Sequence, residues 1–470
     1  MAKRVFVRGS GIGGWLSALL VAVVGASLAG CASVYNLPGN VPLGAALADN
    51  SSARDYPTYE DDLLLALSFS GGGTRAAAFS YGVLEELDRV HSNAAGSKTL
   101  LDRVDFVSGV SGGSVTAAYF GLKRRAALAD FRERFLLRNA EEGLKTRISL
   151  GNIGRALGGG VNDSQFTDWL DQNLFDGARF EALPDDRRPR VWINASDIYN
   201  RTPFVFGKAS FDALCSDIRS YRVAEAVAAS AAVPLAFAPI VLQTIPAAAP
   251  RRCRWYDRVR NDPNAQPLLR SYAEAQARYR DGSMRYVKLL DGGLVDNYGL
   301  SALSIGLLAA QRPYEPLDER QAAKLKRILF LVVDAGRGVS GDFVQTLEGP
   351  NGVELVSAAA DTAIDSSVRS SYAAFTALAG DWSGKLKRWR CGLSAADRSR
   401  LGVGAGWKCG DVAIYVERLG FDRLGPERAG ILNAIPTRLS LPPEQVDQLI
   451  AGGADALRSS KAYQQFRRGL

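Results

Sequence analysis

A serine in a glycine-rich turn is the first residue of this sequence that could do chemistry. Residues 109–113 read GVSGG and match the pattern G-x-S-x-G, with Ser111 at the centre. A β-branched apolar stretch precedes the motif and a helical pattern follows it, the context that exposes the serine on a sharp turn. The N–H groups that begin the helix, starting at Gly112, point toward developing negative charge. Ser111 is therefore predicted to attack an ester carbonyl, although such turns also occur as structural turns or phosphate cradles.

A second glycine motif could supply the hydrogen-bond donors that this reaction needs. Gly71, Gly72 and Gly73 follow a predicted strand over 63–69 and precede a predicted helix. Successive backbone N–H groups in such a loop suit an oxyanion hole, and Arg75 adds positive charge near the same helix end. A phosphate-binding loop is the functional alternative, but the Lys-Ser or Lys-Thr ending and its spacing are missing. A simple tight turn explains one or two glycines better than three.

The base that would activate the serine is not the histidine. The chain contains one histidine, His91, which precedes Ser111 and lies at the polar end of a predicted helix, whereas α/β-hydrolases run serine, acid, histidine. Asp291 offers an alternative, because it begins a D-G-G sequence directly after the apolar run 286–290. A carboxylate shielded from water has a raised pKa and can act as a general base. The residue also fits an ordinary turn aspartate before two glycines.

These motifs, in this order, resemble those of the patatin-like phospholipase family. The family joins a glycine oxyanion loop, here 71–75, a serine elbow, here 109–113, and a D-G-G or D-G-A aspartate, here 291–293. Residues 229–239, ASAAVPLAFAP, look like its helix-to-proline block. The four blocks cover about 63–300, and the final 130 residues are assigned only as an extension of the same sheet and its helices.

The resemblance implies both a fold and a mechanism. The fold is a three-layer α/β arrangement with a mostly parallel central sheet flanked by helices. The mechanism is hydrolysis of lipid acyl esters, of the phospholipase A or lysophospholipase type, by a Ser-Asp dyad without metal or organic cofactor. Ser111 is then the nucleophile and Asp291 the base, while the N–H groups of the oxyanion hole come from Gly71, Gly72, Gly73 and Gly112. The neighbouring Asp296 and Asn297 shape the loop and receive no chemical role.

Two other functions stay open at this point. One is an esterase or thioesterase that acts on acyl substrates other than phospholipids, since the catalytic core would look the same. The other is a lipoprotein that keeps the fold as a non-catalytic lipid-binding module. The presence of every residue needed for the chemistry favours an enzyme.

The amino-terminal residues predict export and a lipid anchor. Residues 1–30 combine a basic start with an apolar stretch, as in a signal peptide, and end in Leu-Ala-Gly before Cys31. This pattern resembles a bacterial lipobox, so Cys31 is expected to carry lipid; an uncleaved anchor is the alternative, but the apolar run is short for a span. Ala32, in place of aspartate, favours the outer membrane, facing the periplasm. Residues 31–60 read as a flexible tether with a reach of roughly 30 Å.

Charge and cysteine content narrow the possible partners. The formal charge of +8 falls by 3 to +5 when the three basic signal-peptide residues are removed, and no dense basic stripe predicts nucleic-acid binding. The expected partners are an acyl-ester lipid and the membrane. Four further cysteines in an exported protein could form two disulfides, by sequence proximity Cys215 with Cys253 and Cys391 with Cys409, although three connectivities or free thiols are open. Their spacing, with a single histidine, does not predict a zinc site.

The remaining sequence alternates apolar runs with amphipathic stretches, which predicts an α/β layered fold. Residues 61–340 are expected to form the catalytic domain, with 341–470 as a helical and strand extension packed on it. Residues 145–190 and 246–285 read as polar, loop-rich insertions. Besides 63–69, the predicted strands lie at 104–108, 190–195, 204–206, 286–290, 328–333 and 412–416. The predicted helices lie at about 75–90, 113–125, 223–232 and 352–379.

Overall fold

The structure is a computed structural model, and it describes the greater part of the chain. The described residues are 34–44, 62–91, 99–145, 152, 155, 159–183, 187–245, 254–338, 342–345, 347, 349–404 and 406–468. The expected signal peptide, the expected lipidated Cys31 and the cysteine at position 253 lie outside them.

A single eight-stranded sheet organises the fold. Its order is β5-β6-β3-β2-β1-β7-β8, and β4 pairs with β3 off this path. The strands are β1 Leu63–Phe69, β2 Val104–Val110, β3 Arg190–Asp197, β4 Thr202–Phe206, β5 Ile240–Gln243, β6 Tyr286–Asp291, β7 Arg327–Val333 and β8 Ala413–Leu419. Strands β3, β2, β1, β7 and β8 run parallel, whereas β4, β5 and β6 pair antiparallel. The mostly parallel sheet predicted from the sequence is confirmed.

The central strand β1 shows why the fold has three layers. All seven of its residues are buried, as expected for a parallel strand covered on both faces. Leu65 and Leu67 point into one apolar cluster, whereas Leu64 and Ala66 point into a second one. Because successive side chains of a strand point to opposite faces, the two clusters lie on opposite sides of the sheet. Helices therefore cover both faces.

The described helices, α1 to α16 in chain order, lie between and after the strands. They are α1 Gly73–Asp88, α2 Gly112–Lys123, α3 Ala127–Phe131, α4 Gln165–Leu170, α5 Lys208–Ala213, α6 Val223–Ser230, α7 Arg254–Asn261, α8 Pro267–Arg280, α9 Gly293–Asp296, α10 Ser301–Ala309, α11 Glu319–Lys324, α12 Gly352–Cys391, α13 Ala395–Leu401, α14 Pro426–Ala434, α15 Pro443–Ser459 and α16 Lys461–Arg467. Helices α1, α2, α6 and α15 supply one apolar cluster, and α12 supplies the other through Phe375, Trp382 and Leu386. Among the described helices, none is both long and apolar enough to cross a membrane.

The stretch predicted as a polar insertion over 246–285 is largely helical where it is described. It contains α7 and α8, and the sequence reading missed both, together with the short strand β5. Leu269, Tyr272 and Ala273 of α8 are buried beside Ile305. These positions are three and four residues apart from Leu269 and therefore lie on one face of the helix, whereas its arginines and its glutamate are not buried. High polarity therefore concealed an amphipathic helix.

Residues 34–44, expected to belong to a flexible tether, instead lie along the sheet edge. The Asn36 amide donates to the carbonyl oxygens of Ala238 at 3.1 Å and Pro239 at 3.0 Å. Asn40 is bonded to both the N–H and the carbonyl of Gln243, at 2.8 and 2.9 Å. Both asparagines are buried. This part of the segment is therefore fixed to the body, and it runs beside β5 in the same direction.

The carboxy-terminal part of the chain is joined to the same sheet. Strand β8 pairs in parallel with β7 over seven residues. A disulfide between Cys391 and Cys409, with a Cα–Cα distance of 4.8 Å, connects the end of α12 to the loop before β8. Cys215 is free of any disulfide in the structure. The extension is therefore structurally continuous with the sheet that carries the serine motif.

Candidate active site

Ser111 occupies a strained turn between β2 and α2. Its backbone angles are φ 50° and ψ −124°, a region that residues with a side chain rarely adopt and that costs of order 1–3 kcal/mol. The flanking glycines make the turn possible because of close backbone approach. A Cβ at Gly109 would lie 2.6 Å from Ser114 Cα, and one at Gly113 would lie 2.5 Å from the Ser70 carbonyl oxygen. The G-x-S-x-G spacing thus reflects steric need.

Three hydrogen bonds hold this turn in place. The N–H of Ser111 donates to Ser230 Oγ at 2.8 Å, and that hydroxyl donates to the Asn194 carbonyl at 2.6 Å. On the other side, Ser114 Oγ donates to the Ser111 carbonyl at 2.6 Å. All four side chains are buried, with Ser111 8% exposed. The strained backbone is therefore supported from α6, β3 and α2 together.

Strand β3 brings Asp291 to the serine. The last residue of β2, Val110, pairs with Asn194 of β3, and the next residue of β3, Ala195, pairs with Asp291 at the end of β6. Strand β4 pairs with the other side of β3 along both of these stretches, so β2 and β6 lie on the same side of β3. Because β2 is parallel to β3 and β6 is antiparallel, the carboxyl ends of β2 and β6 meet. The serine that follows β2 and the aspartate that ends β6 consequently meet. Sequence reasoning placed Asp291 at a strand end but assumed no antiparallel strand.

The end of α6 fastens the aspartate to the serine turn. The N–H of Asp291 donates to the Ala232 carbonyl at 2.8 Å, and the N–H of Gly292 donates to the Ser230 carbonyl at 3.0 Å. Ser196 Oγ donates to the Asp291 carbonyl at 2.8 Å. Ser230 therefore contacts both sides of the site, through its hydroxyl and through its carbonyl. This gives a structural reason for the helix-to-proline block at 229–239.

Burial makes the Asp291 carboxylate a stronger base than an ordinary aspartate. Its removal from water raises the pKa from 3.8 to about 6. Two contacts oppose this change: the Gly293 N–H, which donates to Asp291 Oδ1 at 2.8 Å, and the Ser111 side chain, which faces the carboxylate. The group is therefore charged near neutral pH and directed toward the serine hydroxyl.

The glycine loop lies directly against the serine. A Cβ at Gly71 would be 3.3 Å from Ser111 Cβ, and a Cβ at Gly112 would be 1.9 Å from the Gly73 carbonyl oxygen. Gly72 and Gly73 have φ angles of 141° and 61°, which favour glycine. The loop and the start of α2 therefore form one surface of backbone groups beside Ser111.

One of the four expected oxyanion donors is engaged elsewhere. The N–H of Gly71 donates to both the carbonyl and the side-chain oxygen of Asn297, each at 3.2 Å. Within the described part of the chain, the N–H groups of Gly72, Gly73 and Gly112 have no acceptor. The structure thus corrects the expectation for Gly71, since its N–H positions the loop, and leaves the other three donors available.

Arg75 is buried and holds backbone instead of facing the serine. Its Nε donates to the Ala335 carbonyl at 2.9 Å, and its Nη1 donates to the Ile435 carbonyl at 2.8 Å. Burial, with a contribution from Arg337, lowers its pKa to about 10. Arg75 therefore ties α1 to the loop after β7 and to the carboxy-terminal segment. Its guanidinium also lies beside the glycine loop, where a Cβ at Gly72 would be 3.2 Å from Arg75 Nη2.

His91 lies away from the site. It follows the carboxyl end of α1 and is exposed, whereas the glycine loop precedes the amino end of the same helix. A helix of 16 residues spans roughly 24 Å.

Among the described residues, no three His, Cys, Asp or Glu side chains are grouped to hold a metal ion.

Sequence reasoning missed two residues that build the site. Ser230 was noticed only as part of a block, and Asn297 received no chemical role. The signal for Asn297 was its position six residues after Asp291, in a turn that must pack against the glycine loop. Neither contact is local in sequence, since 119 residues separate Ser230 from Ser111 and 226 separate Asn297 from Gly71.

The fold and the site together define a class of α/β proteins that carry a serine on a strand-to-helix elbow beside a row of backbone donors. Within that class, the sequence model of the patatin-like phospholipase family matches residues 67–304, more than half of the chain. The chain belongs to this family of carboxylic ester hydrolases, as its four motifs predicted.

Comparison with solved structures gives distant matches. Human GIVD cytosolic phospholipase A2 matches at 14% identity with a TM-score of 0.34, over 58% of this chain and 45% of that one. VipD from Legionella pneumophila matches at 12% identity with a TM-score of 0.32, over 87% of this chain and 68% of that one. The chain thus spans less than half the length of the human protein. No curated protein sequence matches it.

Proposed function

We propose that the protein hydrolyses acyl esters of lipids through a dyad of Ser111 and Asp291. The observation that carries the proposal is the meeting of β2 and β6 on strand β3, which directs a buried carboxylate at a serine held on a strained turn. Family membership supports an ester substrate. The raised pKa of the carboxyl group, about 6, suits a general base that works near neutral pH.

The reaction follows from these positions. As Ser111 Oγ attacks the ester carbonyl carbon, its proton passes to Asp291 and the carbonyl oxygen becomes an oxyanion. Collapse of the tetrahedral intermediate breaks the bond to the alcohol, which takes the proton back from Asp291 and leaves an acyl-enzyme. Water then attacks the acyl group, gives its proton to Asp291, and releases the fatty acid as the proton returns to Ser111. Every proton transfer in this cycle runs between Ser111, Asp291, the leaving alcohol and water.

The oxyanion would be stabilised by the N–H groups of Gly72, Gly73 and Gly112. They lie beside Ser111 and have no acceptor among the residues described. Loss of one such donor costs on the order of 100-fold or more in turnover. Gly71 contributes by its lack of a side chain, because a Cβ there would lie 2.3 Å from Asn297 Oδ1 and beside Ser111 Cβ.

We further propose a membrane phospholipid, of the phospholipase A or lysophospholipase type, as substrate. The lipobox-like sequence before Cys31 supports attachment of the protein to a membrane, and Ala32 supports the outer membrane, facing the periplasm. An enzyme anchored to a membrane is exposed to a higher local concentration of lipid than the same enzyme free in solution. Soluble acyl esters or thioesters would then be secondary substrates.

The deciding experiment combines active-site labelling with product analysis. Wild-type protein should react with a fluorophosphonate at Ser111 and release fatty acid from phosphatidylcholine vesicles, while Ser111→Ala and Asp291→Asn should do neither at a comparable rate. Absence of labelling in folded wild-type protein would indicate a lipid-binding module. Labelling with turnover of short acyl esters alone would indicate an esterase.

A further inference from the structure

The fixed segment 34–44 carries large apolar side chains that face solvent. Tyr35 and Leu37 are 68% and 79% exposed, although they flank the buried Asn36. Two large apolar side chains this exposed, so close together on a segment that buried hydrogen bonds hold in place, are typical of an interaction surface. The backbone is therefore fixed in a way that presents these side chains outward.

A second pair of exposed apolar residues lies beside the first. Val233 and Leu235 are 47% and 46% exposed. The Asn36 amide is bonded to the Ala238 carbonyl, and Leu235 precedes Ala238 by three residues, or about 10 Å of chain at most. Leu235 holds a φ of 67°, a conformation that is unfavourable for leucine by roughly 1–2 kcal/mol. The surrounding structure therefore holds the backbone of Leu235 in this unfavourable conformation.

This surface also adjoins the catalytic dyad. Leu235 follows Ala232 by three residues, and the Ala232 carbonyl accepts the Asp291 N–H. The described segment begins at Val34, which lies against the body of the protein: its carbonyl oxygen would be 3.4 Å from a Cβ at Gly159. Cys31, the expected lipid attachment site, precedes Val34 by three residues, again about 10 Å of chain at most.

We propose that Tyr35, Leu37, Val233 and Leu235 form a membrane-docking surface, occupied by the lipid bilayer in which the anchor sits. Residues 34–44, which are hydrogen-bonded to the body, then keep the lipid anchor that precedes them near the part of the protein that carries the dyad. Leucine and valine side chains insert into the acyl region, and tyrosine suits the boundary between apolar and polar layers. This inference rests on the proposed function, because it explains how an anchored hydrolase faces the lipid that it cleaves.

Vesicle binding tests the surface separately from catalysis. Cys31→Ser protein that begins at residue 31, and so carries neither the lipid nor the apolar residues of the expected signal peptide, should float with phosphatidylcholine vesicles. Leu37→Ser combined with Tyr35→Ser should weaken this partitioning about tenfold or more. Val41→Ser is the matched control: Val41 is 45% exposed on the same segment but lies at its far end, beside Ser216. It should change partitioning less than about twofold.

The catalytic arm separates failure of this surface from failure of the proposed function. Lipidated wild type and the Tyr35→Ser, Leu37→Ser variant should hydrolyse soluble p-nitrophenyl butyrate equally, while the variant hydrolyses vesicle phospholipid about fivefold or more slowly. Equal partitioning of all variants, or a dimer that dissociates on substitution, would overturn the docking surface. Wild type that cleaves neither substrate would overturn the proposed function, and flotation would still report on the surface.

Discussion

Replacement of Asp291 by asparagine should abolish turnover and yet stabilise the protein. The carboxyl pKa of about 6 in the folded state lies above its ordinary value of 3.8, so the folded protein binds this proton more tightly than the unfolded chain does. Stability of the wild type must therefore fall as pH rises from about 4 to about 6. Asparagine keeps the shape and an acceptor for the Gly293 N–H while removing the buried charge.

The expected size of this effect follows from the two pKa values. A difference between 3.8 and about 6 corresponds to about 3 kcal/mol of unfolding free energy above pH 6. Asp291→Asn should therefore unfold roughly 3–6 °C higher than the wild type at pH 7.5 and at nearly the same temperature at pH 4. Calorimetric or fluorescence melting curves across this pH range provide the measurement.

The matched control is Ser111→Ala, which should also be inactive but keeps the carboxylate. Because the Ser111 side chain lowers the pKa of Asp291, its removal should raise that pKa further and leave the variant no more stable than wild type at pH 7.5. A gain in Asp291→Asn that is absent at pH 7.5, or that persists unchanged at pH 4, would show that the carboxylate is not held in an unfavourable buried state.

Four further outcomes are expected. The specificity constant on a soluble ester should rise with pH through about 6, as the buried aspartate ionises, and level off above it. His91→Ala should retain the wild-type rate within about twofold, since it lies at the far end of α1; an inactive, folded variant would refute the dyad. Ser230→Ala should lower kcat at least about tenfold with little change in KM, because a buried Ser111 N–H loses its acceptor, and Ser230→Thr should recover part of the rate. Gly112→Ala should lower both the melting temperature and fluorophosphonate labelling, since its Cβ would lie 1.9 Å from a loop carbonyl.

The sequence predicted the parallel half of the fold well because those strands are continuous apolar runs. Strand β1, for example, is LLLALSF and has the predicted boundaries. Short or strongly polar elements were harder to predict. Strand β5 has four residues and ends exposed, and α8 is rich in arginine, so neither stands out from a loop. Local composition cannot report burial that distant elements create.

The candidate site shows the same division. The serine, the glycines and the aspartate can be recognised from short sequence motifs. The glycines are part of these motifs because the backbone approaches too closely there for any side chain. The contacts that align them cannot be recognised in this way, because Ser230 and Asn297 act on residues more than 100 positions away. The sequence also cannot show that the Gly71 N–H is hydrogen-bonded to Asn297, because every glycine in such a loop has an N–H group that could serve as an oxyanion donor.

Because β2 and β6 meet end to end, the proposed dyad depends on the register of β6 on β3. In the part of the chain that the structure describes, β6 pairs with β3 through three residue pairs: Ala195 with Asp291, Ser196 with Leu290 and Asp197 with Leu289. Slippage by one position would displace the carboxylate by about 3.3 Å and turn it to the opposite face of the sheet. On the proposed mechanism, substitutions that loosen this short ladder would abolish turnover while most of the molecule stays folded.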